Sequence, residues 1–489
     1  TTTSITLTPN EGYEYSRGGV NWQSSNTFTG LTAGTTYSFY QRVAETVTHK
    51  ASASSEGASI STKSSSSGGS TGGDTGTSSG VDNGGTTSDT NKANITAVDT
   101  NGNIITAPML DENTGVAAAE INSTILAAAF EKTGQSSDGK KIVEITLPFV
   151  ESAKAYDITM PASVLSSSNA DWQMKIKTDI AMVTLPGSML PQEIAVGAEN
   201  VSLTIAHADV SSIGEEIKNR IGDRPVIQLS LTVDGEPYAW NNENASVTVS
   251  IPYTPTPTEL IDSEHIVVWY IDGNGNVVSV PNGRYDPATE TVTFTTTHFS
   301  YYAVSFKQVS FKDVAASAWY AKAVSFIAAR EITTGTGNGN FSPEAKLTRG
   351  QFIVMLMKAY GITPDANPKD NFADAGNTWY TGYLAAAKRL GISAGVGNNL
   401  FAPEKEITRQ EMFTLLYNAL KVIGKLPQGD SGKSLSSFSD ADDIAPWAKD
   451  AMKLLVETGT ISGSGNRLSP KDTTTRAQMA QVLYSLLSK

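Results

Sequence analysis

Two kinds of periodicity divide this chain of 489 residues. Up to Phe306, apolar residues come in short alternating or continuous runs set between Gly, Asn, Pro and Asp, the pattern of strands and turns. Beyond Lys307 they recur three and four positions apart, the pattern of helices with one buried face. Residues 1–63 predict a small β unit, in which Tyr13 and Tyr15 share a face and Tyr37, Phe39, Gln41 and Val43 line one side of a later strand. Residues 64–92 are almost free of apolar side chains, cannot repay chain entropy, and predict a disordered Ser/Gly/Thr linker. Residues 93–306 predict a β-sandwich from runs such as IVEITLPF, VSLTIAHA, VIQLSLTVDG and HIVVWYIDG, with one helical patch from Ile213 to Arg220. The runs Val98–Ile104 and Ile271–Val277 lack the glycine and the distal Glu of an EF-hand, so both predict hairpin turns rather than calcium loops.

The helical third repeats itself. FKDVAASAWY, FADAGNTWY and FSDADDIAPWAKDA open three copies at Phe311, Phe372 and Phe438. Each copy runs into an amphipathic helix, a Gly-rich turn (ITTGTGNGNFSP, ISAGVGNNLFAP, ISGSGNRLSP) and a second helix opening LTRGQF, ITRQEM or TTRAQM. The interval from Asp313, Asp374 and Asp440 to Arg349, Arg409 and Arg476 is 36, 35 and 36 residues. That register makes the copies one supersecondary unit used three times.

Composition narrows the chemistry. There is no Cys, which excludes disulfides, thiolate metal sites and a cysteine nucleophile, and four His make a histidine-rich metal site a poor expectation. No metal and no cofactor are expected. The net charge of −13 is uneven: residues 307–489 carry 21 basic and 16 acidic side chains, leaving −18 upstream. That balance argues against nucleic acid as a partner and raises the question of what anion the basic end meets. No apolar run approaches the ~20 residues that span a bilayer. A start at Thr1 without Met or signal peptide implies a mature chain or a fragment, with any export signal upstream.

The Gly-Leu-Thr-Ala-Gly-Thr-Thr-Tyr run of the first unit resembles a fibronectin type III module truncated at its start, which implies a spacer. The Phe-x-Asp, early Trp, Gly-x-Gly, Phe/Leu-x-Pro and Thr-Arg positions of the three copies resemble the surface-layer homology (SLH) domain. The copies span about 309–363, 370–424 and 436–489 of the region 307–489. The resemblance implies a multidomain chain: β-sandwich modules followed by an all-α, trimer-like prism with pseudo-threefold symmetry and three grooves. It implies a secreted protein of a Gram-positive bacterium, held non-covalently at the cell wall or S-layer by pyruvylated secondary cell-wall polysaccharide. Neighbouring S-layer protomers are a further partner it allows.

The residues carry their own argument. Thr348, Thr408 and Thr475 predict helix N-caps, with Gln351, Glu411 and Gln478 completing capping boxes. Arg349, Arg409 and Arg476 then stand at the first helical position, unfavourable for a cation by a few tenths to about 1 kcal/mol. A helix N-terminus with a guanidinium fork is a carboxylate site, which a pyruvate ketal would fill. Gly337, Gly397 and Gly465 either admit a sugar to the backbone or take positive φ. Trp319, Trp379 and Trp447 either stack on sugar or belong to the core, and the start of an amphipathic helix favours core. Asp313, Asp374 and Asp440 are expected to cap the following segment or pair with an Arg rather than touch ligand. Lys346, three positions before Arg349, makes the first groove the expected strongest. The third copy, one residue shorter between Gly463 and Arg476, is the expected weakest.

Two enzymatic readings stand beside anchoring. One is a tether for a polysaccharide hydrolase lying upstream. The other is autoproteolysis between Phe299 and Ser300, because His298-Phe299-Ser300 resembles the self-cleavage step of ZU5-type domains. There the Ser300 hydroxyl would attack the preceding carbonyl and His298 would move the proton. The bland reading, a last strand with His and Ser in alternation, is favoured, and with it a protein that is not an enzyme.

Overall fold

The computed structural model describes residues 4–7, 13–17, 22–29, 31–32, 36–44, 58–61, 93–94, 97–136, 139–211 and 213–488. The chain forms two compact units, Thr1–Thr87 and Ser88–Lys489. The expected linker at 64–92 lies outside the described residues.

In the first unit Ser4–Thr6 pairs antiparallel with Thr27–Thr29, and a four-stranded sheet runs in the order Trp22–Gln23, Tyr13–Arg17, Thr36–Val43, Ala58–Ser61. Ile5, Leu31 and Phe39 form its small core.

The second unit holds both the β-rich part and the helical copies. Its ten-stranded sheet has Ala155–Pro161, Asn200–His207 and Val226–Val233 at its centre. Its eight-stranded sheet is built around Lys141–Thr146, Trp172–Lys177, Met182–Pro186 and Val247–Pro252. Alternation does the sorting. Val201, Leu203 and Ile205 from one sheet share a single core with Val143, Ile145, Val247, Val249 and Ile251 from the other. The helical patch is the helix Glu215–Ile221. Both expected hairpins form: Asp99 Oδ1 accepts the N–H groups of Asn101 and Asn103, and Asp272 Oδ1 those of Asn274 and Asn276. Gly102 and Gly275 take the positive φ each turn requires.

After the strand Tyr301–Phe306 each copy supplies two helices: Ala321–Ala329 and Arg349–Ala359, Thr381–Arg389 and Arg409–Val422, Lys449–Glu457 and Arg476–Leu487. Their apolar faces form one core. No helix among the described residues is long and apolar enough to cross a membrane.

A seam joins the β-rich part to the first copy. Arg330, at the end of Ala321–Ala329, is 1% exposed. It donates to the carbonyls of Gly283, Glu264, Ile266 and Phe326. Glu264 accepts from Tyr484 and lies 3.1 Å from Lys322. Arg284 donates to the Ser488 carbonyl.

Candidate functional site

The three Thr-Arg segments meet one another. Leu347 N–H donates to Thr474 O (2.9 Å), Thr474 N–H to Ile407 O (3.2 Å) and Ile407 N–H to Leu347 O (2.9 Å), a closed ring of backbone bonds. All three side chains in it are sealed from solvent. From this ring the second helices start outward, each against the turn of the next copy.

The capping boxes form as expected at Thr348, Thr408 and Thr475. The next two N–H groups of each helix are also taken. Arg349 and Gly350 donate to Lys405 O and Pro403 O, Arg409 and Gln410 to Asp472 O and Pro470 O, and Arg476 and Ala477 to Ala345 O and Pro343 O. With the helix starts satisfied inside the fold, they offer no free donors to an anion, and the expected pairing of helix terminus with guanidinium is corrected: only the guanidinium groups remain.

Those groups reach across copies. Arg349 Nε donates to Phe401 O (2.8 Å), Arg409 Nε to Leu468 O (2.8 Å) and Arg476 Nε to Phe341 O (2.7 Å). Arg349 and Arg476 also lie over the rings of Phe401 and Phe341, 4.7 Å from each centroid. The third copy has Leu468 there instead, and Arg409 lies over Phe413 of its own helix. Neighbouring carbonyls and rings therefore offset the unfavourable helix position. Arg349 and Arg476 are buried and Arg409 half-buried, and burial pushes all three pKa values down. The terminal nitrogens are less committed. Arg476 Nη2 donates to Thr333 Oγ1 at 3.4 Å, and Arg349 Nη1 faces Glu411 Oε1 at 3.3 Å. Both Nη atoms of Arg409 are without a hydrogen-bond partner among the described residues.

The aspartates cap, as expected. Asp313 accepts the N–H groups of Phe341 and Ser342, Asp374 those of Phe401 and Ala402, and Asp440 those of Leu468 and Ser469. These bonds hold Ser342, Ala402 and Ser469 at φ of 59°, 57° and 50°, a conformation a side-chain-bearing residue rarely takes. With both oxygens committed, these aspartates are positioning groups of the turns. Burial alone would raise the pKa of Asp313 and Asp440, but the N–H groups they accept outweigh it and hold both below the ordinary 3.8.

The glycines divide by role. A Cβ at Gly335 would meet Asn340 O at 2.3 Å, and Gly395 and Gly463 are equally crowded, so these are packing positions. Gly337, Gly397 and Gly465 have positive φ and open space around them, so the turn needs glycine there and leaves its outer face clear.

The tryptophans correct the core expectation. Trp319, Trp379 and Trp447 are 61%, 60% and 57% exposed. The buried faces of the first helices are filled by smaller residues such as Val324, Leu384 and Met452, while each Trp stands just before its helix and points away from that stripe. Its segment packs at a helix start: Tyr380 lies against Gly350, and Ala445 N–H donates to the Gln410 side chain. Lys346 also moves. It bridges to Thr475 and so flanks Arg476, not Arg349; the residue bridging to Thr348 is Glu406.

The His298–Ser300 step does not assemble as a catalytic pair. Ser300 Oγ donates to Ile271 O, the His298 ring packs edge-on to Tyr270, and Phe299 packs on Trp240. No residue of the step has positive φ. Among the described residues no group of acidic or His side chains could hold a metal.

The S-layer homology domain family matches residues 310–353, 371–413 and 437–480. These three segments are SLH domains. The chain is similar to the S-layer protein sap of Bacillus anthracis, 32% identical over 174 residues, which is 36% of this chain and 21% of that protein. It is similar to an amylopullulanase of Thermoanaerobacterium thermosulfurigenes, 26% identical over 357 residues, which is 72% of this chain and 18% of that enzyme. It is similar to the exoglucanase XynX of Acetivibrio thermocellus, 31% identical over 185 residues, 37% of this chain and 17% of the enzyme. The chain thus spans about a fifth of the length of these relatives. The three SLH domains and the S-layer relatives indicate a location at the cell wall or in a surface layer.

Sequence reasoning missed that each SLH Arg belongs to the turn of the next copy, and that Glu411 faces Arg349. The one visible signal for the latter was the sequence Gln, Glu, Gln at the third helical position of the three copies.

Proposed function

We propose that the SLH region anchors a secreted protein non-covalently to pyruvylated wall polysaccharide, in three clefts between copies of a pseudo-threefold prism. The observation that carries this is the threefold exposure of Trp319, Trp379 and Trp447 in the same three copies that supply Arg349, Arg409 and Arg476. Trp319 and Trp379 pack edge-on to Tyr320 and Tyr380, yet all three Trp residues stay more than half exposed at equivalent positions, and an exposed flat ring in a copy that also supplies a guanidinium suits a sugar bearing a carboxylate. Several weak clefts on one polymer add up to strong retention. Neighbouring protomers of a surface layer remain a second partner in this reading, and the first unit a fibronectin type III-like spacer.

The test is retention on wall sacculi. Native sacculi should hold the protein and sacculi stripped of pyruvate should release it. Replacing the three tryptophans by Ala should abolish retention with the helix content intact. Retention on stripped walls would refute the carboxylate assignment.

A second reading is favoured by one finding. The amylopullulanase alignment is longer than the helical region and so extends into the β-rich part, which makes a tether for a polysaccharide hydrolase the alternative. The reading frame upstream of Thr1 decides between them.

A further inference from the structure

The three SLH domains close on one another through equivalent helix pairs, but the pairs are not equally tethered. The second helix of the first domain, Arg349–Ala359, packs on the first helix of the second, Thr381–Arg389, and Arg409–Val422 packs on Lys449–Glu457. Each of these pairs is also joined along the chain, by residues 360–380 and 423–448. The third pair is not. There Arg476–Leu487 packs on Ala321–Ala329, with Arg476 Nε meeting Phe341 O across 135 residues and the Tyr484 ring edge-on to Phe326 at 5.1 Å. No short connection holds the two halves of this junction together, so opening it releases the entropy of a long loop, and it is the weakest of the three on that ground.

The β-rich part reaches this junction from outside. Glu264 stands in the turn Ser263–His265 that leads into the strand Ile266–Ile271. Its Oε1 accepts the Tyr484 hydroxyl at 2.8 Å and lies 3.1 Å from Lys322 Nζ. One carboxylate thus holds a side chain of the third domain and a side chain of the first. It is 15% exposed, which shelters the bond to Tyr484, while Lys322 is 64% exposed and adds less. Beside it Arg284 donates to the Ser488 carbonyl of the third domain, and Arg330 of the first donates to Gly283, Glu264 and Ile266. Counted from the helix starts, Lys322 corresponds to Gly382 and Asp450, and Tyr484 to Met357 and Tyr417. The linked junctions therefore offer Met357 with Gly382 and Tyr417 with Asp450, and neither pair presents a cation and a hydroxyl to one carboxylate. Bridging residues occur where the covalent link is absent.

We propose that the β-rich part is a clasp for the ring of SLH domains: Glu264, with Arg284 and Arg330 beside it, clamps the third domain to the first and keeps the unlinked junction closed. The β-rich part is then a structural half of the SLH unit rather than a spacer ahead of it. A load reaching the ring from the β-rich part enters the first and third domains together, instead of peeling one from the other. The clasp holds whatever ligand the ring takes.

The experiment is native-state hydrogen exchange of the full chain, with the linked junctions as internal controls. Two backbone N–H groups cross between domains at each junction: those of Arg349 and Gly350, of Arg409 and Gln410, and of Arg476 and Ala477. Glu264→Ala should speed exchange at Arg476 and Ala477 about tenfold or more and leave the other four within about twofold. Tyr484→Phe keeps the ring against Phe326 and removes only the hydroxyl, so it should speed the same two amides by a smaller factor. Equal acceleration at all three junctions would mean a general loss of stability and overturn the clasp. So would unchanged exchange at Arg476 and Ala477 in folded Glu264→Ala protein. If Glu264→Ala does not fold, Tyr484→Phe is judged by the same two outcomes. No wall polymer enters the measurement, so the anchoring reading stands or falls separately.

Discussion

Arg330 and the three repeat arginines are all removed from water at helix ends, yet they do opposite things. Arg330 stands in a cage of carbonyls from Gly283, Glu264, Ile266 and Phe326, with all three of its nitrogens donating. Nothing is left over for a ligand, and the residue locks the first copy to the β-rich part. The repeat arginines give Nε to the next copy and hold their terminal nitrogens largely in reserve. Burial alone does not separate a structural cation from a recognition site. The count of committed donors does.

The sharpest way to break this comparison is Arg330→Met. It strips a charge-assisted donor set from buried carbonyls of the β-rich part and should cost about 3 kcal/mol or more, read as a drop in urea midpoint. The sister positions Leu390 and Thr458 have no such cage, so Leu390→Met should cost less than about 1.5 kcal/mol in the same measurement. Equal losses would erase the distinction between seam and ring.

Asp440→Asn probes the turns that present the clefts. It weakens two bonds to the N–H groups of Leu468 and Ser469 and should cost about 1–2 kcal/mol. The pH dependence has a definite sign. A carboxylate held below 3.8 in the folded state contributes stability that is complete above 3.8 and is lost as pH falls through the lower folded value. Acid titration of the helical signal should therefore show less loss below pH 3.8 in Asp440→Asn than in the native chain.

A smaller effect of opposite sign is expected at the ring. Thr474 Oγ1 is buried and has no hydrogen-bond partner among the described residues, beside the positions of Leu347 and Ile407. Thr474→Val keeps the shape, removes the orphan hydroxyl and should raise stability by about 1 kcal/mol in thermal unfolding. The smallest stability change belongs to the exposed rings. Trp379→Ala should move the urea midpoint by less than about 0.5 kcal/mol while weakening retention on sacculi. A large loss of stability there would return Trp379 to a packing role.

Much of this was legible along the chain. The switch from strand to helix spacing falls at Phe306, the Thr-x-x-Gln/Glu steps are capping boxes, and the Phe-x-Asp aspartates cap their turns. The Trp residues were misread because a large apolar side chain just before an amphipathic helix resembles the first core position. Each step along a helix turns the side chain by about 100°, so a shift of one position decides whether such a residue faces in or out. Arg330 was invisible for another reason: its partners are backbone carbonyls some 50 to 65 residues away, and carbonyls have no sequence signature.

Local rules operate within a few residues, so the chain by itself determined the repeat, its register, its caps, its glycine turns and the residue types each cleft would offer. Which copy meets which is a matter of distance in space. Only the closing of the backbone ring at Leu347, Ile407 and Thr474 placed each Arg on its neighbour's turn, moved Lys346 from Arg349 to Arg476, and set Glu411 against Arg349. Charge acts through separation and dielectric rather than through sequence order, and so the balance of the three clefts exists only in the folded molecule.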